Sequence, residues 1–315
     1  MITVNLSAKL RECSDGWNQF WFKYPNEFNV SLFRCLFGFL LLGLYLNRFL
    51  EFDLFFLDNG LLSFDAVFKV MPEANLSALP FYIASDQWIL AQGYLHLFLI
   101  ALFTLGAFGR SLTWLLFVLN LGLLQRDPII IYGADLFANF WLFYFSFVKH
   151  NTYFSIWNLI RRKPQEAAKG LDPLSSMGVR LLQIHLCVAY AITGWEKLKG
   201  TTWWDGSAVW HLTGMKELVD RDLTFIQNFP ILVGAMTLLT LFFEIYFCFG
   251  VWQKKWKYIF LVAGAIFHLS TALIIDLLYF CFVMILPYLL FLPDFRGMSY
   301  RVRGFVKTLL KPSHS

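Results

Sequence analysis

Lys197 stands in an apolar stretch, 178–199, where a charged side chain needs a reason. A charge inside a bilayer costs about 2.5–3.5 kcal/mol on insertion scales. Tyr190 and Gly194 precede Lys197 by seven and three positions, so the three side chains fall on one helix face. The glycine would let a second helix or a ligand approach closely. Apolar surroundings disfavour the ammonium form, and a neutral amine can take a proton as a general base. The adjacent Glu196 works the other way, since a nearby carboxylate favours the charged lysine. A plainer reading has Lys197 and Glu196 snorkelling to the interface.

Further ionisable residues lie at comparable levels in other apolar runs. Arg126, Asp127, Asp135 and Asp276 sit near the same ends as Lys197, and His268 lies roughly 10 Å below a helix end at 275. Arg126, Asp127 and Asp135 read as an ion-pair set around a turn broken by Pro128 and loosened by Gly133. Such a turn at membrane depth must be buried or line a cavity. Arg34, His185 and Glu244 fall near the opposite ends, where Arg34 and Glu244 could pair across helices. His96 and His268 lie at comparable depth, which admits axial haem ligation; the plainer reading is a pair of packed core histidines. The candidate set is therefore Lys197, His268 and Asp135 for catalysis. Tyr190, Gly194, Glu196, Arg126, Asp127 and Trp204 are the candidates for substrate binding, and no metal is expected. There is no ExxH pair, HExxH, phosphate-binding loop, dinucleotide fingerprint or nucleophile elbow.

The elements that would carry these residues are membrane helices. Of 315 residues, 58% are hydrophobic, 19% aromatic and 15% charged, with mean hydropathy +0.58. That excludes a disordered chain and leaves too few polar side chains to cover a soluble globule. Eight runs approach the roughly 20 apolar residues of a span: 29–50, 87–109, 111–126, 130–148, 178–199, 229–252, 256–275 and 277–293. The third and eighth are short. The fold class expected is all-α integral membrane, with about eight transmembrane helices (28–295) behind an amphipathic interfacial helix (1–27) and before a basic tail (296–315). In the first segment Leu6, Leu10, Cys13, Trp17 and Phe20 recur at helical spacing, a face for the membrane surface or for a partner helix. The five cysteines form no CxxC pair and four lie in apolar runs, so neither a disulfide framework nor a thiolate site is indicated.

Lys and Arg set the orientation. They cluster before the first run (Lys9, Arg11, Lys23), in the 149–180 loop, at Lys254, Lys255 and Lys257, and in the tail from Arg296 to Lys311. The 51–86 loop opposes them with Glu51, Asp53, Asp58, Asp65, Glu73 and Asp86 against Lys69. Eight spans put every basic cluster on one side, so both termini are expected in the cytoplasm of a cell (inner) membrane protein. Sequestered in loops, the net charge of +5 does not mark a nucleic-acid partner. The second outward segment, 200–228, opens Thr-Thr-Trp-Trp-Asp-Gly and is expected to hold an interfacial or re-entrant helix around 205–219.

Tyr190-Ala-Ile-Thr-Gly-Trp-Glu-Lys197-Leu followed by Trp204-Asp-Gly206 resembles the HTTM domain, the membrane domain of vitamin K-dependent γ-carboxylase and of many bacterial proteins. Phe33-Arg34 with Gly38, Tyr132-Gly-Ala-Asp135 and Phe267-His268 resemble further family positions, so the similarity spans about 28–295. The resemblance implies that Lys197 is the base that starts oxygenation of a reduced, vitamin K-like quinone, with His268 near the quinol. The chain departs from the carboxylase at Arg126-Asp127-Pro128, where the family enzyme reads Asn-Asn-His, and ends without its large lumenal domain. HTTM domains also occur in sporulation-delay-type membrane proteins that assist maturation of secreted toxin peptides. The expected function is an outward-facing intramembrane cavity in which Lys197 acts on a quinol or another lipid-soluble substrate, with Tyr190, Asp135 and His268 positioning it. The alternative is a non-enzymatic partner of a secreted or periplasmic peptide. Solute transport finds no inverted repeat or paired broken helices.

Overall fold

The computed structural model describes residues 6–24, 26–70, 85–161, 170–216, 218–219 and 221–294. Among the described residues every regular element is helical. Much of the 51–86 loop (Glu73 included), part of the 149–180 loop and the 296–315 tail lie outside them. Among the described residues five stretches are long and apolar enough to cross a membrane: Lys9–Phe49, Asp86–Thr104, Pro173–Lys197, Pro230–Gly250 and Lys257–Ile275.

The chain divides into two compact units, residues up to Leu181 with those from Leu292, and Leu182–Phe291. In the first unit α1 (Leu6–Phe22) precedes α2 (Glu27–Phe49), α3 (Phe52–Phe56), α4 (Phe64–Val70), α5 (Asp86–Thr104), α6 (Arg110–Arg126), α7 (Gly133–Phe145) and α8 (Ile156–Ile160). On α2, Val30, Phe33, Phe37, Leu41 and Leu44 are buried at three- and four-residue spacing, one stripe of a 3.6-residue helix. That stripe packs on α5, and Gly38 makes the crossing tight. A Cβ at Gly38 would lie 2.3 Å from Thr104 Oγ1.

Arg34 sits under this crossing. Its guanidinium donates to the carbonyls of Phe103 and Thr104 at the end of α5 and of Tyr153 and Phe154, adding donors where the helix ladder runs out. The expected Arg34–Glu244 pair is therefore replaced: Arg34 is spent on backbone carbonyls, and Glu244 has a different cation.

The break after α6 is built by its own residues. Asp127 accepts a hydrogen bond from the Ile129 amide at 3.0 Å, and Pro128 opens a 3-10 turn, Pro128–Ile130. Ile131 and Tyr132 are extended. The apolar run 130–148 thus yields only the 13-residue α7, because its first residues are consumed by the turn. The exposed Leu10 and Trp17 of α1 are uncovered, and Arg180 holds the end of α1 through the Phe20 carbonyl at 2.8 Å and the Phe20 ring.

α9 (Pro173–Lys197) runs from the first unit into the second. The second continues with α10 (Thr201–Trp204), α11 (Ala208–Gly214), α12 (Pro230–Gly250), α13 (Lys257–Ile275) and α14 (Leu278–Ile285). α14 ends in a 3-10 turn, Leu286–Phe291. The 200–228 segment, expected to hold an interfacial or re-entrant helix around 205–219, forms one short helix there, Ala208–Gly214, preceded by Thr201–Trp204, and both pack on α12.

Candidate functional site

The second unit carries the site. α9 and α12 meet at Gly194, where an added Cβ would lie 2.9 Å from Ile245 Cγ1 and 3.2 Å from Glu244 Cβ. That approach brings the next turn of α9 within reach of Glu244. Lys197 Nζ lies 3.0 Å and 2.8 Å from the two Glu244 carboxylate oxygens, and 5.3 Å from the centroid of the Trp203 ring. The lysine side chain keeps 24% of its exposure and the glutamate 4%.

The ion pair corrects the depth assigned to Glu244. Counting from run ends placed Lys197 and Glu244 near opposite faces. Glu244 precedes the end of α12 by roughly 9 Å, yet it meets the last residue of α9. Counting from run ends assumes that helices start in one plane, and these do not.

Lys197 lines an elongated groove of about 1010 Å³ between α12 and α13. Its walls are apolar apart from a few groups, among them Lys197, Thr240, Ser270 and Gln253. Phe243 lines the groove and meets the Tyr190 ring edge-on behind it, at 5.1 Å between centroids.

Behind Phe243 lies a second polar group. The Tyr190 hydroxyl is 2.5 Å from His268 Nε2 and 2.6 Å from the Tyr288 hydroxyl. All three residues are buried. Gly264 makes room for Tyr288, since a Cβ there would lie 2.2 Å from its hydroxyl oxygen. The arrangement is a linear chain, Tyr288–Tyr190–His268, with the imidazole tautomer deciding which oxygen donates. His268 Nδ1 finds no hydrogen-bond partner. Tyr190 and His268 are thus brought together, but neither lines the groove.

The remaining candidates separate. Asp135 belongs to the first unit, where Arg48 clamps both its oxygens at 2.7 Å and 2.8 Å. The expected ion-pair set of Arg126, Asp127 and Asp135 is corrected accordingly, with Arg48 as the cation for Asp135. Arg126 donates to the Leu57 and Leu62 carbonyls at 2.9 Å and 2.8 Å and stacks over Phe64, and Asp127 caps the 3-10 turn. Glu196 turns to Lys199 at 2.6 Å, both of them exposed, because neighbouring helix positions diverge by about 100°. Trp204 is exposed and donates its indole N–H to the Leu198 carbonyl at 2.8 Å. His96, read as a packed core histidine beside the alternative of haem ligation, is buried against Tyr45 in the first unit, and His268 Nε2 is taken by Tyr190. Among the described residues no group of three or more His, Cys, Asp or Glu is placed to hold a metal ion.

Three participants escaped the sequence reading of their roles. Glu244 was visible as a carboxylate in an apolar helix, but not its partner. Arg48 is the last-turn cation of α2, and nothing in its spacing singles out Asp135. Tyr288 sits in one of the two short apolar runs, and only the packing of α14 on α13 brings that end of the chain to Tyr190. No family model, no curated protein and no solved structure matches the chain.

Proposed function

We propose that the chain is a multi-pass membrane protein of the HTTM type in which the Lys197–Glu244 pair acts on a lipid-soluble substrate, a reduced quinone being the leading class. One observation carries the reading: Lys197, paired with Glu244 at 2.8 Å, lines an apolar groove of about 1010 Å³. An apolar wall suits an isoprenoid or alkyl tail, and the pair supplies the polar group that would meet a phenolic head. Ammonium and carboxylate in apolar surroundings lie one proton transfer from amine and carboxylic acid. Glu244 takes the proton from Lys197, and the free amine then removes the proton of a hydroquinone hydroxyl. Tyr190, His268 and Tyr288 hold the wall behind Phe243 in register. Both termini are assigned to the cytoplasm by the distribution of Lys and Arg.

The test uses vitamin K hydroquinone as probe with the purified full-length chain, following oxygen consumption and quinone absorbance. Wild type is expected to turn over, and Lys197→Ala to lose at least about a hundredfold, in line with removal of a general base. Lys197→Ala retaining wild-type turnover, or no turnover by either protein, overturns the reading.

Trp204, Phe225 and Phe229 are all exposed on 201–229. They support a second reading, a surface that receives a secreted peptide. Peptide capture unaffected by Lys197→Ala is the outcome that selects it.

A further inference from the structure

The two ends of the groove differ in charge. At one end Lys197 is neutralised by Glu244. At the other the wall closes on Gln253 and Trp256, in the turn Gln253-Lys-Lys-Trp-Lys257 that joins α12 to α13. No acidic residue occurs between Glu244 and Asp276, so this turn is a cluster of three cations without a carboxylate in its own segment. Lys254 and Lys255 are exposed, and neither forms a salt bridge among the described residues. The Lys255 ammonium lies 5.5 Å from the Trp256 ring centroid, and Trp256 is itself exposed, a tryptophan at the level where headgroups begin.

Two more observations point to an anion. α13 starts at Lys257, whose amide is taken by the Gln253 carbonyl at 2.9 Å, so the amides of Tyr258 and Ile259 and the positive end of the dipole face the same turn. The groove leads directly away from that turn. Along α12 its lining runs from Gly250 back to Met236, roughly 21 Å at about 1.5 Å per residue, enough for an acyl chain crossing one leaflet of about 15 Å. An uncharged quinol gains nothing from Lys254 and Lys255, whereas a phosphate diester attached to an acyl chain satisfies both ends at once.

We infer that the groove between α12 and α13 is a binding site for an anionic phospholipid, with one acyl chain laid along the groove and the phosphate held by Lys254, Lys255 and the first turn of α13. The inference stands on the opposite end of the groove from Lys197 and holds whether or not that lysine does chemistry.

Native mass spectrometry of the purified full-length chain, titrated with dioleoyl phosphatidylglycerol or dioleoyl phosphatidylcholine, tests it. Wild type is expected to hold the glycerol lipid at least tenfold more tightly, from roughly fivefold for each lysine near a headgroup. The double variant K254Q/K255Q, on exposed residues outside the helices, is expected to lose that preference. Ala263→Trp, which fills the groove, is expected to weaken both lipids while circular dichroism stays unchanged. Lys197→Ala is expected to keep the preference. Equal binding of the two lipids by wild type, an undiminished preference in K254Q/K255Q, or loss of the preference in Lys197→Ala overturns the site. Unchanged phosphatidylglycerol binding by a folded Ala263→Trp overturns the placement of the chain.

Discussion

The two units each bury an acid–base pair in apolar helix packing, and the pairs are built differently. In the first, Arg48 grips Asp135 with two nitrogens, leaving side-chain exposures of 9% and 0%. The same carboxylate also accepts the Tyr132 amide at 3.1 Å, so it caps α7 as well. The cavity beside Arg48 is about 10 Å³, room for no more than a water. In the second, a single ammonium meets Glu244 next to a groove a hundred times larger. A planar, forked guanidinium in a closed site fixes geometry. A lysine on a flexible stem beside open volume can exchange its partner for a substrate. The two pairs differ less in the burial of the carboxylate than in the volume open to the cation.

The largest effect is expected from opening the closed pair. Asp135→Ala leaves Arg48 buried without its anion and removes a cap, and should cost about 3–5 kcal/mol of stability, read as a large drop in thermal midpoint in detergent. A variant as stable as wild type would erase the contrast between the pairs. Tyr190→Phe removes two buried hydrogen bonds and strands His268 and Tyr288, at about 1–3 kcal/mol. Its turnover with a hydroquinone should fall less than that of Lys197→Ala, since Tyr190 stands behind Phe243; an equal fall would bring the hydroxyl to the substrate.

Glu244→Gln should destabilise by less than Asp135→Ala, about 1–2 kcal/mol, because the freed ammonium can turn into the groove. It should nonetheless abolish turnover, and a destabilisation as large as that of Asp135→Ala would show that the second pair is closed too. The smallest effect is at Asp172, which precedes α9 and pairs with Arg110 at 2.6 Å. Partial burial opposes its charge, but hydrogen bonds from Ser175 and Arg110 outweigh that and hold the carboxyl below its usual range. Its contribution is therefore full above the ordinary carboxylate pKa and disappears as pH falls through the lowered one. With both side chains over a third exposed, it stays under about 1 kcal/mol. Asp172→Asn should remove that contribution at neutral pH, lowering stability by under about 1 kcal/mol, and flatten the stability profile below about pH 4.

Helical class and the positions of α2, α5, α9, α12 and α13 follow from composition and run length, because a span needs consecutive apolar residues whatever it packs against. The common face of Tyr190, Gly194 and Lys197 follows equally from helical periodicity. Run length fails where polar residues claim the backbone, as when Asp127 and Pro128 draw the start of the fourth run into a turn.

Partnership among charges is a different kind of quantity. Arg34, Arg126, Asp135, Lys197 and Glu244 were each visible as charges in apolar surroundings, and each had to find a counter-group or a carbonyl. Which one it found depends on helix stagger and on close approaches such as Gly194 against Ile245. A linear chain encodes spacing along one helix at 1.5 Å per residue, but not the offset between two helices. That offset is settled only when side chains interlock, and it brought Lys197 to Glu244, Arg48 to Asp135 and Tyr288 to Tyr190.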